Sequence, residues 1–175
     1  NESVFGPSPK ALKVMKDEAN SLWMYGDPEN YDLKIEIAKK HNIKPQNIVV
    51  GEGIDGLLGY LVRMLVEPND KVVTTDGSYP TFNYHVNGYA GLLKKIPFKE
   101  DFEDLASLSS FSRKLCPKIV YVSNPNNPMG TFNNKTEIQT FINEVPDDTI
   151  ICLDEAYADF VPDDDLIDIN VNQEN

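Results

Sequence analysis

The chain is 175 residues long with a mass of 19.7 kDa, 41% hydrophobic and 25% charged, an ordinary globular composition that excludes the disordered and fibrous classes. A chain of this size buries roughly 70% of its extended-chain surface, so it needs neither disulfides nor a structural metal. With 28 acidic residues against 16 basic ones the formal charge is −12, which repels a phosphate backbone and argues against nucleic acid as a partner.

Residues 9–23 follow the turn Gly6-Pro7-Ser8-Pro9 and carry apolar side chains at 11, 12, 15, 19, 22 and 23, a spacing that predicts an extended N-terminal arm leading into a helix. Residues 26–30 break the chain, and Leu33, Ile37 and Ala38 predict a second amphipathic helix ending near His41. After Pro45 short β-branched runs alternate with helical stretches: a strand at 48–50, a helix at 55–66, a strand at 71–75, a helix at 81–89 and a strand at 92–96. The helix at 55–66 is the clearest, because Ile54, Leu57, Leu58, Leu61, Val62 and Leu65 fall at i, i+3, i+4, i+7, i+8 and i+11. The charged, serine-rich connection 99–114 carries no period that assigns an element. A strand at 118–122, a helix at 134–145 and a strand at 149–153 then form a βαβ unit, and the whole alternation predicts an α/β fold with a mostly parallel sheet and flanking helices. Asn134 and Glu137 have N-cap and N3 spacing, so Asn134 reads as a helix cap and not as the glycan acceptor that Asn134-Lys135-Thr136 spells. The polar stretch 170–175 matches no packing pattern.

Cys116 precedes a proline and Cys152 sits in an apolar run; with no leader or membrane-length stretch visible, both are expected as reduced thiols of a cytoplasmic protein. His41 and His85 stand alone, without Cys or His at ligand spacing, so no metal site is expected. The run Asp163-Asp164-Asp165 lacks the spacing and glycine of a calcium loop and reads as a solvated turn.

In a parallel sheet, ligands collect beyond the carboxyl ends of the strands. Four segments are expected there: 51–56, 77–80, 124–131 and 154–157. Gly51-Glu52-Gly53-Ile54-Asp55-Gly56 fits G-x-G-x-x-G with Asp76 about twenty residues on, which by itself is a dinucleotide fingerprint. Its physical content is more general, since glycines admit an anion to the free amides of a helix N-terminus and any phosphorylated cofactor would satisfy them. Ser123-Asn124-Pro125-Asn126-Asn127-Pro128-Met129-Gly130-Thr131 sets three amide side chains in a backbone fixed by two prolines. Asp154-Glu155-Ala156-Tyr157 puts a carboxylate directly after an apolar strand, where a buried acid needs a partner.

Together these segments, with Phe5-Gly6-Pro7-Ser8-Pro9, Tyr25 and Pro28-Glu29-Asn30-Tyr31, resemble the N-terminal portion of pyridoxal-phosphate aminotransferases of the aspartate aminotransferase fold type, class I and II, and most of all the histidinol-phosphate aminotransferase branch. The resemblance covers nearly the whole chain. It implies an arm and helix over 1–30, followed over 31–175 by part of the cofactor-binding major domain. It also implies pyridoxal 5'-phosphate as cofactor, with Asp154 facing the pyridine nitrogen, Asn127 and Tyr157 the ring's phenolic oxygen, Tyr79 the ring face, and the amides of Gly53, Ile54 and Asp55 the phosphate. Tyr25 is implied to reach the phosphate of a partner subunit, hence a homodimer, and the start of the arm, Asn1-Glu2, to border the substrate. The implied reaction is transamination of an amino donor with a 2-oxo acid, first of all histidinol phosphate with 2-oxoglutarate. Met129, Ile54 and Gly56 depart from the family's usual residues. Its Schiff-base lysine is expected beyond Asn175; Lys94, Lys95, Lys114 and Lys118 match no family position and read as surface lysines, and Arg63 and Arg113 match no anchor. Two other readings remain open: a dehydrogenase domain of the NAD type, resting on residues 51–56 and Asp76, and a non-catalytic aminotransferase fragment.

Overall fold

A computed structural model describes residues 4–165 and 167; the expectations for Asn1-Glu2 and for residues 170–175 lie outside the described residues. The chain divides into two compact units, Asn1–Val49 and Val50–Asn175.

In the first unit, Ser8 caps α1 (Pro9–Glu18) by accepting from the Ala11 amide at 3.2 Å, and Pro9 occupies the first turn, where no amide is needed. The helix runs into a 3-10 turn at Ala19–Ser21 and buries none of its side chains. The Asp27 carboxylate accepts from the Glu29 and Tyr31 amides at 2.9 and 2.8 Å, and those two bonds, Tyr31 first, hold it below its ordinary carboxyl range. They set the entry to α2 (Tyr31–His41), which stops where Asn42 turns left-handed and which buries only Ala38.

The second unit runs α3 (Gly53–Leu65), β1 (Lys71–Asp76), α4 (Thr81–Gly88), β2 (Leu92–Pro97), α5 (Leu105–Leu115), β3 (Ile119–Ser123), α6 (Lys135–Glu144) and β4 (Ile150–Asp154). All paired strands are parallel, in the order β2-β1-β3-β4. Side chains alternate across a strand, so Val72 and Ile119 face one side and Val73 and Val120 the other. The first set packs with Leu58 and Val62 of α3 and Phe82 and Val86 of α4; the second packs with Leu105 and Leu108 of α5 and Ile138 and Phe141 of α6. A right-handed crossover puts its helix on one face when the chain steps toward β2 and on the opposite face when it steps back toward β4, which accounts for this division. Each fully buried Val, Leu or Phe contributes about 1.5–3 kcal/mol by leaving water.

One expectation needs correction. Residues 48–50 are not a sheet strand: the run is extended but only three residues long and finds no ladder partner among the described residues. The unassigned connection 99–114 contains α5, started by the Asp104 carboxylate accepting from the Ser107 amide at 3.0 Å. The cap expected at Asn134 forms in both directions, with Asn134 Oδ1 accepting from the Glu137 amide at 3.0 Å and Glu137 Oε2 accepting from the Asn134 amide at 2.8 Å. Cys116 and Cys152 are both free thiols, and Asp163–Asp165 forms a 3-10 turn. Among the described residues no helix is long and apolar enough to cross a membrane.

Candidate functional site

The strand order reverses between β1 and β3, the place where ligands collect in such sheets, and the loops leaving their carboxyl ends, 77–80 and 124–131, meet at that edge through the Asn126 Nδ2 bond to Ser78 Oγ at 3.1 Å. β4 lies beside β3 with Ser123 paired to Asp154, which brings the end of β4 to the same edge.

Asp154 closes β4 and is 6% exposed. Its Oδ2 accepts from the Tyr121 hydroxyl at 2.6 Å and its Oδ1 from the Ala156 amide at 3.0 Å; among the described residues no cation pairs with it. Tyr121 is itself buried and stacked on Phe82, ring centroids 4.5 Å apart and planes 13° from parallel. Burial first, then the Asp154 charge, pushes the Tyr121 hydroxyl far above the ordinary phenol value, so it stays a donor. The same two causes push the Cys152 thiol up to about 12 and raise the Glu155 carboxyl above its ordinary range. Buried with two neutral donors, the Asp154 side chain still lacks, among the described residues, the positive partner that would offset its desolvation.

The three asparagines after β3 separate into two roles. Asn124 exchanges bonds with the Asn133 backbone, at 2.8 and 3.0 Å. Asn126 is buried, with Oδ1 accepting from the Met129 amide at 3.2 Å and Nδ2 donating to Ser78 Oγ at 3.1 Å and to Glu103 Oε1 at 2.8 Å. Those bonds fix the loop. Asn127 is half-buried and its amide takes no partner among the described residues. Tyr157 is half-buried with its ring 6.5 Å from that of Phe160.

At the start of α3, Gly53 has φ +80, a conformation that costs glycine nothing. Its amide donates to the Gly51 carbonyl at 2.9 Å, so of the three amides expected at an anion only those of Ile54 and Asp55 lack an acceptor among the described residues. Glu52 caps nothing; its carboxylate accepts from the Tyr60 hydroxyl at 2.8 Å, which holds it below its ordinary range. The Tyr79 hydroxyl donates to Asp55 Oδ2 at 3.3 Å, and His85 Nε2 lies 3.1 Å from the Asp55 carbonyl, so α3, α4 and the loop after β1 meet at this helix end. Tyr25, in the first unit, is fully exposed.

The dinucleotide reading loses its context here. That fingerprint requires a sheet strand, the glycine turn and then a helix; the glycine turn precedes α3, but no sheet strand precedes the turn, and Asp76 pairs with Lys95 at 3.1 Å. The composition gave no hint of Glu103 and Tyr121, which brace this edge: Glu103 lies in a charged run and Tyr121 in an apolar strand. A cleft of about 440 Å³ between α5 and α6 is lined by none of the residues expected in the site.

The family model described as aminotransferase class I and II matches residues 1–173. The chain belongs to the class I and II aminotransferases. Histidinol-phosphate aminotransferase 2 of Carboxydothermus hydrogenoformans is 34% identical over 160 residues, 91% of this chain and 44% of that protein. Histidinol-phosphate aminotransferase of Moorella thermoacetica is 31% identical, over 92% of this chain and 42% of its own length. The chain therefore spans under half the length of the curated relatives it matches. Among solved structures, histidinol-phosphate aminotransferase from Sinorhizobium meliloti in complex with pyridoxal-5'-phosphate superposes with a TM-score of 0.93 at 45% identity, covering 96% of this chain and 46% of that one. Aspartate aminotransferase from Rhizobium meliloti, at 15% identity and a TM-score of 0.76, covers 91% of this chain and 44% of its own and shares the fold. This aminotransferase chain is thus an α/β parallel sheet with flanking helices, as its strand pattern implies.

Proposed function

We propose that this chain is the N-terminal portion of a pyridoxal-phosphate-dependent aminotransferase that transfers the amino group of histidinol phosphate to 2-oxoglutarate in histidine biosynthesis. Residues 1–30 act as its arm and 31–175 as part of its cofactor domain, and it works in the cytoplasm as a homodimer in which Tyr25 reaches the partner's phosphate. The observation that carries the reading is Asp154, a buried carboxylate at a strand's carboxyl end with two neutral donors and no cation among the described residues.

The residues present suit the cofactor. Asp154 offers a negative charge to a pyridinium nitrogen, Asn127 and Tyr157 offer donors to a phenolate oxygen, Tyr79 offers an aromatic face, and the Ile54 and Asp55 amides with their helix dipole suit a phosphate. Pyridoxal phosphate, when bound, supplies an electron-withdrawing ring that stabilises negative charge on the substrate's α-carbon. Asp154 would pair with the protonated ring nitrogen, and the Tyr121 hydroxyl, donating to its Oδ2, would hold the carboxyl group in place for it. Gly53 supplies the turn that frees the next two amides.

The test is borohydride reduction of the intact protein in the presence of pyridoxal phosphate, followed by mass measurement and a transamination assay with histidinol phosphate and 2-oxoglutarate. One phosphopyridoxyl group on a chain well above 19.7 kDa, with turnover, is the expected result. A bare 19.7 kDa product would instead establish the non-catalytic fragment. Asp154→Ala should lower turnover by roughly a hundredfold, the scale of removing one preorganised charge from a reacting centre.

A further inference from the structure

One buried acid is given no task by the family resemblance. Glu103, in the connection between β2 and α5, is 4% exposed. Its carboxylate accepts four hydrogen bonds: from the Thr75 hydroxyl near the end of β1, from Ser78 Oγ in the following loop at 2.9 Å, from the Ser123 amide ending β3 at 3.4 Å, and from Asn126 Nδ2 in the loop beyond at 2.8 Å. Ser78 immediately precedes Tyr79, and Asn126 immediately precedes Asn127. β1 and β3 are the two strands between which the order reverses, and Glu103 joins the loops that follow them from a third segment.

Four donors converging on one buried point require an acceptor with about four lone-pair sites and no hydrogen of its own, which among side chains only an ionised carboxylate provides. An apolar residue there would take this acceptor from all four donors, leaving Asn126 Nδ2 its bond to Ser78 Oγ, and an amide would offer one acceptor oxygen in place of two. We propose that Glu103 is a positioning residue that clamps the two loops carrying Tyr79 and Asn127 and thereby sets how tightly and in what orientation the cofactor is held. Preorganised loops bind without first losing their freedom, so the clamp acts on affinity and ring orientation more than on any bond it makes to the ligand. The inference rests on the reading of the site as a pyridoxal-phosphate site.

The experiment compares the intact protein with its Glu103→Ala, Glu103→Gln and Leu108→Ala variants. Leu108, on the buried face of α5, serves as a control that destabilises without touching the clamp. The readouts are the pyridoxal-phosphate dissociation constant by equilibrium dialysis, the induced circular dichroism of the bound cofactor, and the Tm. Glu103→Ala should raise the dissociation constant roughly tenfold and weaken the induced band, because donors left unpaired in a buried site release the loops. Glu103→Gln should fall between it and the parent, while Leu108→Ala should lower the Tm and leave both cofactor readouts within about twofold. Glu103 variants that bind and orient the cofactor like the parent, or change no more than Leu108→Ala does, overturn the proposal. If Glu103→Ala does not fold, Glu103→Gln decides by the same comparison. A parent protein that binds no pyridoxal phosphate overturns the reading of the site and the clamp with it.

Discussion

The Tyr121 hydroxyl meets Asp154 at 2.6 Å with its ring held by Phe82, so the carboxyl group cannot turn without breaking a bond. Tyr121→Phe keeps the ring stack and deletes that bond. We expect a stability loss of about 1–3 kcal/mol, the cost of an unmatched buried polar group, read from urea unfolding, and in the intact enzyme a fall in kcat with KM little changed. Glu103 titrates in the opposite sense to a salt-bridged acid: burial raises its carboxyl above the ordinary 4.5, against the lowering effect of its four donors. A carboxyl with a higher value folded than unfolded binds its proton more tightly in the native state, so its contribution is complete below the ordinary value and is lost as pH rises through the folded one. Unfolding free energy should therefore decline above about pH 4.5 on this account, and Glu103→Gln should flatten the decline in urea transitions run across the acid range. The place of Asp154 at the end of β4 and of Asn127 in the loop after β3 was legible in the sequence, because an apolar run precedes each. Glu103 was not: it sits in Lys99-Glu100-Asp101-Phe102-Glu103-Asp104, a run that reads as solvated, and its burial is decided by donors 20 to 28 positions away.

Among the elements, α3 and α4 approach closely because Gly59 has no side chain. A Cβ there would stand 2.8 Å from His85 Cε1, and His85 is the residue beside the Asp55 carbonyl. Gly59→Ala gains about 1 kcal/mol of helix propensity but overpacks the contact at a cost of about 1–3 kcal/mol. The expected outcome is a net loss in urea unfolding together with weaker phosphate binding, as His85 is driven off the start of α3. α6 was legible from its paired cap, and α3 from its apolar stripe. α5 was hidden because Ser109 and Ser112 occupy the buried stripe beside Leu105 and Leu108, so the burial is real while the hydrophobic period is interrupted. Residues 48–50 misled in the other direction: β-branched composition describes a side-chain preference, but a strand also needs a neighbour to pair with.

At the scale of the molecule, stability is unevenly spread. The helices α1 and α2 bury only Ala38 between them, whereas both hydrophobic clusters belong to the unit from Val50 onward. Hydrogen exchange of the 175-residue chain should therefore find amides before Val49 exchanging freely and those of β1 and β3 protected to the level of global unfolding; equal protection in both would contradict this. The parallel sheet was legible from the alternation of short apolar runs with helices, while the order β2-β1-β3-β4 is written in no single residue. The four segments proposed to hold the cofactor, 51–56, 77–80, 124–131 and 154–157, are each tethered to a different strand or helix and lie far apart along the chain. A small molecule gripping all four is a removable staple: at a hundredfold excess over its Kd it adds about 2.7 kcal/mol to folding, and it makes loops that would otherwise open singly open together or not at all.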